Sequence, residues 1–261
     1  MEGNSVPHGG TTGEGTAAIE RAFDVLFHLH EERSALGVSA IARALGLPKS
    51  TAHRLLGVLV RRGLVEKDDA GLYRPGMALV ALGLGVLARD PLVAAARPVL
   101  EEEAKSVGET LFVVGARGGE LVVLDEVQGT GLLRAAPTVG ARVPVHATAA
   151  GRLFLAFAPD KLKKPRYPLE AFTERTPVAK ETLEARIEDA RRLGHATNVS
   201  EWVPGLAVVS AAIRTTDGTM VGALALACAQ ERFAALGGDR LAERLEQAAA
   251  RIARRLEGKG T

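Results

Sequence analysis

Residues 48–64 read PKSTAHRLLGVLVRRGL, and this stretch decides the fold of the N-terminal part of the chain. At helical spacing, one face is apolar and consists of Ala52, Leu55, Leu56 and Leu59. The opposite face is small, polar or basic and consists of Ser50, His53, Arg54, Gly57 and Arg61. No carboxylate occurs in the stretch, which suits a polyanion as partner. A solvated surface helix shows the same pattern. The flanking segments must therefore distinguish a DNA-binding helix from an ordinary surface helix.

The segment upstream predicts a short helix over residues 39–45, SAIARAL, with Ser39 as its N-cap. Gly46 can adopt the left-handed conformation that ends a helix. Two helices joined by the tight turn at residues 46–48 predict a helix-turn-helix, in which the second helix enters the major groove of DNA.

The segments on either side complete this domain. Residues 64–67 and 72–74 predict a β-hairpin, which is a wing in this position. Residues 16–32 predict a first helix. We expect its buried stripe to consist of Ile19, Phe23, Leu26 and Phe27. We therefore expect a mobile tail over residues 1–15 and a winged helix-turn-helix domain over residues 16–76.

Composition limits the class of protein. The chain has 261 residues and a formal net charge of +2, so its basic character is local and not global. The single cysteine, Cys228, excludes an intramolecular disulfide and favours a reducing compartment. It lies in an apolar run, which predicts a buried hydrophobe more than a reactive thiol. The N-terminus lacks an apolar signal segment, so we expect a cytoplasmic protein that does not enter a membrane.

The rest of the chain predicts a second domain. Residues 77–90 are too apolar to stand alone in water, so this linker helix packs either against another subunit, which we favour, or within its own chain. Residues 91–257 alternate strand-like runs with amphipathic helices, and Pro98 predicts a kink or break near Arg97. This order indicates an α/β sensor-like domain and not a doubly wound nucleotide-binding fold.

The chain resembles the IclR family of transcriptional regulators from about Thr16 to Leu256. The matching segments are Glu20-Arg21-Ala22, GLPKSTAHRLLGVLVRRGLV, YRPG, HATAAGRLFLAF, Gly194-His195-Ala196, Glu201, Gly205-Leu206 and GALAL. The resemblance implies an α/β two-domain protein with an N-terminal winged helix-turn-helix, a linker helix and a C-terminal GAF-like effector-binding domain. It also implies a homodimer, often paired into a homotetramer as a dimer of dimers, on a palindromic double-stranded DNA operator.

The chemistry of the side chains identifies candidate DNA contacts. These are Lys49, Ser50, Thr51, His53, Arg54, Arg61, Arg62 and Arg74. The first three lie at the N-terminus of the second helix, where free amides also attract phosphate. Arg54 can bond bidentately to guanine or contact a phosphate, whereas Arg61, Arg62 and Arg74 suit the DNA backbone, which supplies salt-dependent affinity.

The resemblance also implies an effector pocket. In relatives that sense small oxo-acids, the ligand meets backbone amides in the motif matching Ala149, Ala150 and Gly151. An acidic residue, a cysteine and two serines of that pocket match Asn198, Val208, Ala225 and Ala227 here, and its apolar wall matches Leu132, Ala135, Val143 and Leu206. Because the thiol and both hydroxyls are replaced by aliphatic groups, a small hydrated acid would recover few hydrogen bonds. We therefore expect a more apolar effector, such as an aromatic acid bound at these amides; the alternative is a packed core without a ligand.

Other classes of protein find little support. The sequence has no nucleophile elbow, P-loop or dinucleotide-binding pattern, and no zinc-ligand spacing among its six histidines and one cysteine, so no catalytic residue, metal or cofactor is predicted. A cluster of His195, Ser200 and Glu201 is more typical of ordinary exposed polar residues. The remaining alternative is a GAF-like small-molecule-binding protein or enzyme whose helix-turn-helix docks a protein.

Overall fold

The computed structural model describes residues 12–32, 34–131 and 138–258. The chain divides into two compact units, Met1–Val86 and Leu87–Thr261. Residues 1–11, which make up most of the predicted tail, and the predicted strand at residues 132–135 lie outside the described residues.

The N-terminal unit contains the predicted winged helix-turn-helix. Its elements are α1 (Thr12–Glu31), α2 (Val38–Ala44), α3 (Lys49–Arg61), β1 (Val65–Lys67) and β2 (Tyr73–Pro75). The strands pair antiparallel, with Glu66 opposite Arg74, and form the wing. One apolar cluster holds the unit together: Val25, Leu29, Ile41, Leu55, Leu56, Leu59, Val65 and Tyr73. All three helices and the wing contribute to it, so the position of α3 is fixed from several sides.

The turn between α2 and α3 follows the predicted glycine. Gly46 has φ +61°, in the left-handed region that favours glycine. The predicted cap is wrong: α2 is preceded by Gly37 as N-cap, and Ser39 lies inside the first turn of the helix. The helix therefore begins without a side-chain cap.

The orientation of α1 differs from the prediction. The helix begins at Thr12 and not at Thr16. Phe23 is 54% exposed, Ile19 and Phe27 are each 60% exposed, and Val25 and Leu29 face the core. Both sets of residues repeat every fourth position, so periodicity alone cannot tell which face packs within the subunit. The predicted buried stripe is wrong for these three residues, and they form an exposed apolar face.

The linker segment forms α4 (Met77–Ala88), which crosses from one unit to the other. None of its residues is buried. The alternative in which the chain itself buries this helix is therefore wrong. Its large apolar side chains are exposed: Met77, Val80, Leu82, Leu84 and Val86. Within the described ranges no single helix is long and apolar enough to span a membrane, and only the bent pair of α4 with the helix that follows it passes that test.

The C-terminal unit is built around a six-stranded antiparallel sheet. Its elements are α5 (Pro91–Val107), β3 (Thr110–Arg117), β4 (Glu120–Val127), β5 (Arg142–Val143), α6 (Ala149–Phe157), a short 3₁₀ helix (Pro159–Lys161), α7 (Lys180–Leu193), β6 (His195–Val199), β7 (Leu206–Arg214), β8 (Met220–Ala229), α8 (Gln230–Leu236) and α9 (Gly238–Glu257). The strand order is β5-β4-β3-β8-β7-β6.

Helices cover both faces of this sheet. On one face, α5 and α9 pack on the odd-numbered residues of β7, and buried Glu103 of α5 accepts hydrogen bonds from Arg244 and Arg251 of α9 at 2.5 and 3.0 Å. On the other face, α6 packs on the even-numbered residues of β7 and on Ala223, Ala225 and Ala227 of β8. The layers therefore bring α6 against the centre of the sheet.

Three local features of this unit differ from the sequence prediction. Strand β5 and helix α8 were not predicted. The break near Arg97 does not occur, because α5 continues through Pro98. Pro98 and Ala94 both lie on the exposed side of α5. The carbonyl that loses its hydrogen bond to proline is thus close to solvent, where water can satisfy it.

Candidate nucleic-acid interface and effector pocket

The position of α3 follows from its two faces. The buried residues are Ala52, Leu55, Leu56 and Leu59, as predicted. The helix begins after Pro48, which is the N-cap residue and accepts a hydrogen bond from the amide of Ala52 at 3.0 Å. With one face fixed in the core, the opposite face of the helix points outward.

That outward face carries most of the predicted DNA contacts. Lys49, Ser50, His53, Arg54, Arg61, Arg62 and Arg74 are exposed, and Thr51 is half-buried. None of the four cations Lys49, Arg54, Arg61 and Arg62 forms an ion pair with any residue that the structure describes. These charges are therefore available to an anionic partner.

Arg74 differs from the other cations. Its guanidinium lies 3.1 Å from Glu66 on the paired strand of the wing, and the other oxygen of this carboxylate accepts a hydrogen bond from the Met77 amide at 3.2 Å. The carboxylate offsets the charge of Arg74. A phosphate contact by Arg74 therefore competes with this pair.

A small cavity lies between α6 and the sheet, at the predicted effector site. Its volume is about 20 Å³, which is room for one water molecule. The lining residues are Phe112, Val114, Val143, Thr148, Ala149, Ala150, Asn198, Trp202, Leu206, Val208 and Ser210. This lining contains no charged side chain.

The predicted effector residues fall into three groups. Six of them line the cavity: Val143, Ala149, Ala150, Asn198, Leu206 and Val208. Three others are buried nearby without lining it: Gly151, in α6, and Ala225 and Ala227, in the same apolar cluster. Leu132 and Ala135 lie outside the described residues.

The amides at the start of α6 are partly occupied by the protein itself. The amide of Ala149 donates to Asn198 Oδ1 at 3.3 Å, and that of Gly151 donates to Thr148 Oγ1 at 3.2 Å. No hydrogen bond of the Ala150 amide is found within the described ranges. A carboxylate here would therefore meet one amide and the positive end of α6 before any rearrangement.

The close approach of the backbone before α6 explains why residue 151 is a glycine. A Cβ atom at this position would overlap the carbonyl oxygen of Val145. The glycine therefore lets the chain before α6 pass directly against the helix, which positions Thr148 and the first amides of the helix.

A buried ion pair holds α6 against the end of β6. Arg152, 1% exposed, pairs with Glu201 and donates to the carbonyl oxygen of Thr197 at 2.5 Å. Burial lowers the pKa of Arg152 to about 10, and the positive charge of Arg186 adds to this shift. The guanidinium stays charged at neutral pH, so Glu201 serves as its buried counter-ion.

The cluster of His195, Ser200 and Glu201 does not form. His195 Nδ1 lies 2.6 Å from Glu246 of α9, and Ser200 Oγ donates to Gln230 at 2.9 Å. Ser200 and Glu201 are buried, so the prediction that they are exposed is wrong. Each of the three has a different structural partner.

Sequence reasoning missed five lining residues: Phe112, Val114, Thr148, Trp202 and Ser210. Thr148 carried a usable signal, because a threonine directly before a helical segment is a typical N-cap. Ser210 carried another, because it is the only hydroxyl in the apolar run LAVVSAAI. Trp202 lies in the loop between β6 and β7, and no periodicity predicts its direction.

The described part of the chain contains neither a metal-binding cluster nor a reactive thiol. No group of three or more histidine, cysteine, aspartate or glutamate side chains there could hold a metal ion. Cys228 is buried, as predicted, and burial raises the pKa of its thiol to about 12. At neutral pH this thiol is unreactive.

The comparisons with known proteins agree with this architecture. The family description "IclR helix-turn-helix domain" matches residues 18–69, and "Bacterial transcriptional regulator IclR C-terminal" matches residues 84–254. The chain belongs to the IclR family. Its members are DNA-binding transcriptional regulators and not enzymes. The C-terminal unit has the GAF-like fold.

Individual relatives match over most of their length. The glycerol operon regulatory protein of Streptomyces coelicolor is 33% identical over 83% of this chain and 86% of its own. The transcriptional repressor AllR of Escherichia coli is 30% identical over 84% of this chain and 83% of its own. The crystal structure of an IclR homologue from Microbacterium hydrocarbonoxydans, complexed with 4-hydroxybenzoate, has a TM-score of 0.80 and 26% identity, covering 92% of this chain and 99% of that one.

Proposed function

We propose that this IclR-family protein is a sequence-specific regulator whose affinity for its operator is controlled by a small-molecule effector. The observation that carries the DNA-binding part is the outward face of α3, on which Lys49, Arg54, Arg61 and Arg62 have no carboxylate partner among the described residues. We assign base contacts to Ser50, His53 and Arg54. Arg61 and Arg62, the outer cations, contact phosphates. Arg74 can do so only by breaking its ion pair with Glu66.

The experiment is a gel shift with the DNA upstream of the protein's own gene, repeated at rising salt. We expect retarded fragments whose affinity falls steeply with salt, because each phosphate contact releases counter-ions. A protein-docking helix, the alternative partner for α3, predicts no retention even in dilute buffer. The family assignment and the acid-free face both favour DNA, and with it the cytoplasm as the place of action.

We further propose that the protein is a homodimer, or a dimer of dimers, joined through α1 and α4. The exposed residues Ile19, Phe23 and Phe27 on α1 and the wholly unburied α4 present apolar surface that water disfavours. A second copy is the occupant we favour, because a palindromic operator needs two recognition helices related by two-fold symmetry.

Sedimentation measurements test this assembly. The Phe23→Glu variant places a charge in the proposed interface and should sediment as a smaller species than the wild type. Arg21→Glu, on the exposed side of the same helix, is the matched control and should leave the oligomer intact. An unchanged oligomer in both variants would contradict the α1 interface.

We propose the following division of the chain: DNA-binding domain, residues 12–76, which begins with α1; linker, residues 77–90; effector domain, residues 91–257. The effector must bind the DNA-competent and DNA-incompetent geometries of the dimer with different affinity. The linker, which connects the effector domain to the DNA-binding domain, transmits this change. Spin labels on the two DNA-binding domains of a dimer should report a changed distance upon effector binding, and an unchanged distance would contradict this mechanism.

For the effector we propose an apolar molecule such as an aromatic acid, with its carboxylate at the start of α6. The support is the chemistry of the lining, in which apolar side chains surround a helix N-terminus, together with the relative from Microbacterium hydrocarbonoxydans that is complexed with 4-hydroxybenzoate. A cavity of about 20 Å³ is far smaller than a ligand pocket, so binding requires the wall to move. Trp202, the lining residue in a loop, is the group best placed to swing outward.

The same residue provides the assay. Trp202 is the only tryptophan of the chain, so its fluorescence reports occupation of this cavity directly. We expect a saturable change with aromatic acids and none with two- or three-carbon oxo-acids. The reverse result would exclude the apolar effector, and no change with either would favour a packed core.

A further inference from the structure

Ser210 is a buried hydroxyl that the fold itself does not use. Its side chain is 0% exposed, and its Oγ makes no hydrogen bond with any residue that the structure describes. It lies on β7 and lines the cavity beside α6. An unpaired buried hydroxyl disfavours folding, because it loses its bonds to water and gains none in return.

The neighbours of Ser210 explain why it is unpaired. Its cross-strand partners are Ala196 on β6 and Ala225 on β8. The next residues on the same face of β7 are Val208 and Ala212, which are apolar as well. The residues directly beside Ser210 therefore offer no polar group, and the small alanines leave the hydroxyl open towards the cavity.

The other hydroxyl of the cavity and the amide oxygen of Asn198 are bonded within the fold. Thr148 Oγ1 donates to the carbonyl oxygen of Pro144 at 2.7 Å and accepts from the Gly151 amide. Asn198 Oδ1 accepts from the Ala149 amide. Ser210 thus has the one hydroxyl of the cavity that is free for a ligand in the described part of the chain.

We propose that Ser210 determines effector specificity by hydrogen bonding to a second polar group of the ligand, across the ring from its carboxylate. This inference rests on the proposed effector class. Asn198, which contacts the first amide of α6, is paired with Val208, and Ser210 lies two residues further along β7, or about 6.6 Å. The hydroxyl of 4-hydroxybenzoate, which lies away from the carboxylate, is the kind of second polar group that Ser210 would bind.

The test uses three probes: benzoate, 4-methylbenzoate and 4-hydroxybenzoate. The last two have nearly the same size, so their affinity ratio isolates the hydroxyl. Binding is followed by the fluorescence of Trp202 in the full-length protein. For the wild type, we expect 4-hydroxybenzoate to bind about tenfold more tightly than 4-methylbenzoate, the ratio that one net hydrogen bond supplies.

Ser210→Ala should abolish this ratio and bind 4-methylbenzoate at least as tightly as the wild type does. Ser106→Ala, on the exposed side of α5, is the control and should keep the wild-type ratio. The melting temperature of Ser210→Ala should not fall, since no bond of the fold is removed.

Three outcomes would overturn the inference. If Ser210→Ala keeps the wild-type ratio, Ser210 does not read the ligand, and the aromatic-acid effector stands without it. If the melting temperature falls sharply, the hydroxyl serves the fold. If the wild type responds to none of the three probes, the inference fails together with the proposed effector class.

Discussion

The proposed recognition helix, α3, and the proposed effector pocket differ in where their residues come from. The contacts of α3 lie within thirteen consecutive residues, and each side chain points to the face that helical spacing gives it. The pocket instead collects residues from β3, β5, β7, the N-terminus of α6, the end of β6 and the loop after it. Local periodicity is therefore enough to describe the first site, whereas the second depends on sheet topology.

The two sites also treat polar groups in opposite ways. On α3 the charges are exposed and unpaired among the described residues, so a substitution there should change binding without changing stability. Around the pocket, polar groups are buried and most of them are bonded to one another, as in the pair Arg152–Glu201. Substitutions there should change stability first.

The largest expected effect is at this buried pair. Glu201→Gln leaves the Arg152 guanidinium buried without a counter-ion, which should lower the free energy of unfolding of the C-terminal unit by about 3–5 kcal/mol. Urea unfolding followed by Trp202 fluorescence measures it. The matched control is Glu188→Gln, whose ion pair with Arg191 is exposed and should contribute less than about 1 kcal/mol. An equal loss of unfolding free energy in both variants would contradict the distinction between the buried and the exposed ion pair.

Arg54→Ala should have the next largest effect, and only on DNA binding. Loss of a base or phosphate contact should weaken operator binding by about 10- to 100-fold. The free energy of unfolding should stay within about 0.5 kcal/mol of wild type, because Arg54 is exposed and packs on nothing in the core. Quantitative gel shifts and urea unfolding give the two numbers. Arg192→Ala, on the exposed side of α7, should bind operator as the wild type does.

The outer cations should give a smaller effect of a different kind. Arg61→Ala and Arg62→Ala should each weaken binding to all sequences alike and lower the salt slope by about one. Arg74→Ala should change the slope less, since Glu66 already offsets the charge of Arg74. A larger change at Arg74 than at Arg61 would show that the pair with Glu66 opens on DNA.

The smallest expected effect compares two buried serines. Ser200→Ala removes a hydroxyl that donates to Gln230 and accepts from the Gly205 amide at 3.0 Å, which should lower the free energy of unfolding by about 1–2 kcal/mol. Ser210→Ala removes a hydroxyl without a partner in the described residues and should leave this free energy unchanged or raise it. Urea unfolding of both variants tests the comparison.

These differences explain which parts of the fold and of the two sites could be predicted from the sequence. The amphipathic pattern of α3, the left-handed Gly46 and the two strands of the wing were correctly predicted, because each depends on neighbours in sequence. The stripe of Ile19, Phe23 and Phe27 was misplaced, because two faces of α1 are apolar. Ser210 was missed, because its importance depends on Ala196 and Ala225, which only the sheet brings beside it.

The central claim is that α3 reads the operator. Cleavage of DNA by a chelate attached to this helix tests that claim most directly. Cys228 is buried and its thiol pKa is raised to about 12, so Ser50→Cys provides the only reactive thiol for a tethered DNA-cleaving chelate. We expect cleavage at two positions within the protected operator, about one helical turn or a multiple of it apart. The same chelate on Ala250→Cys, exposed on α9, should not cut there. Retention of operator DNA without cleavage from residue 50 would contradict the assignment of α3 as the reading helix.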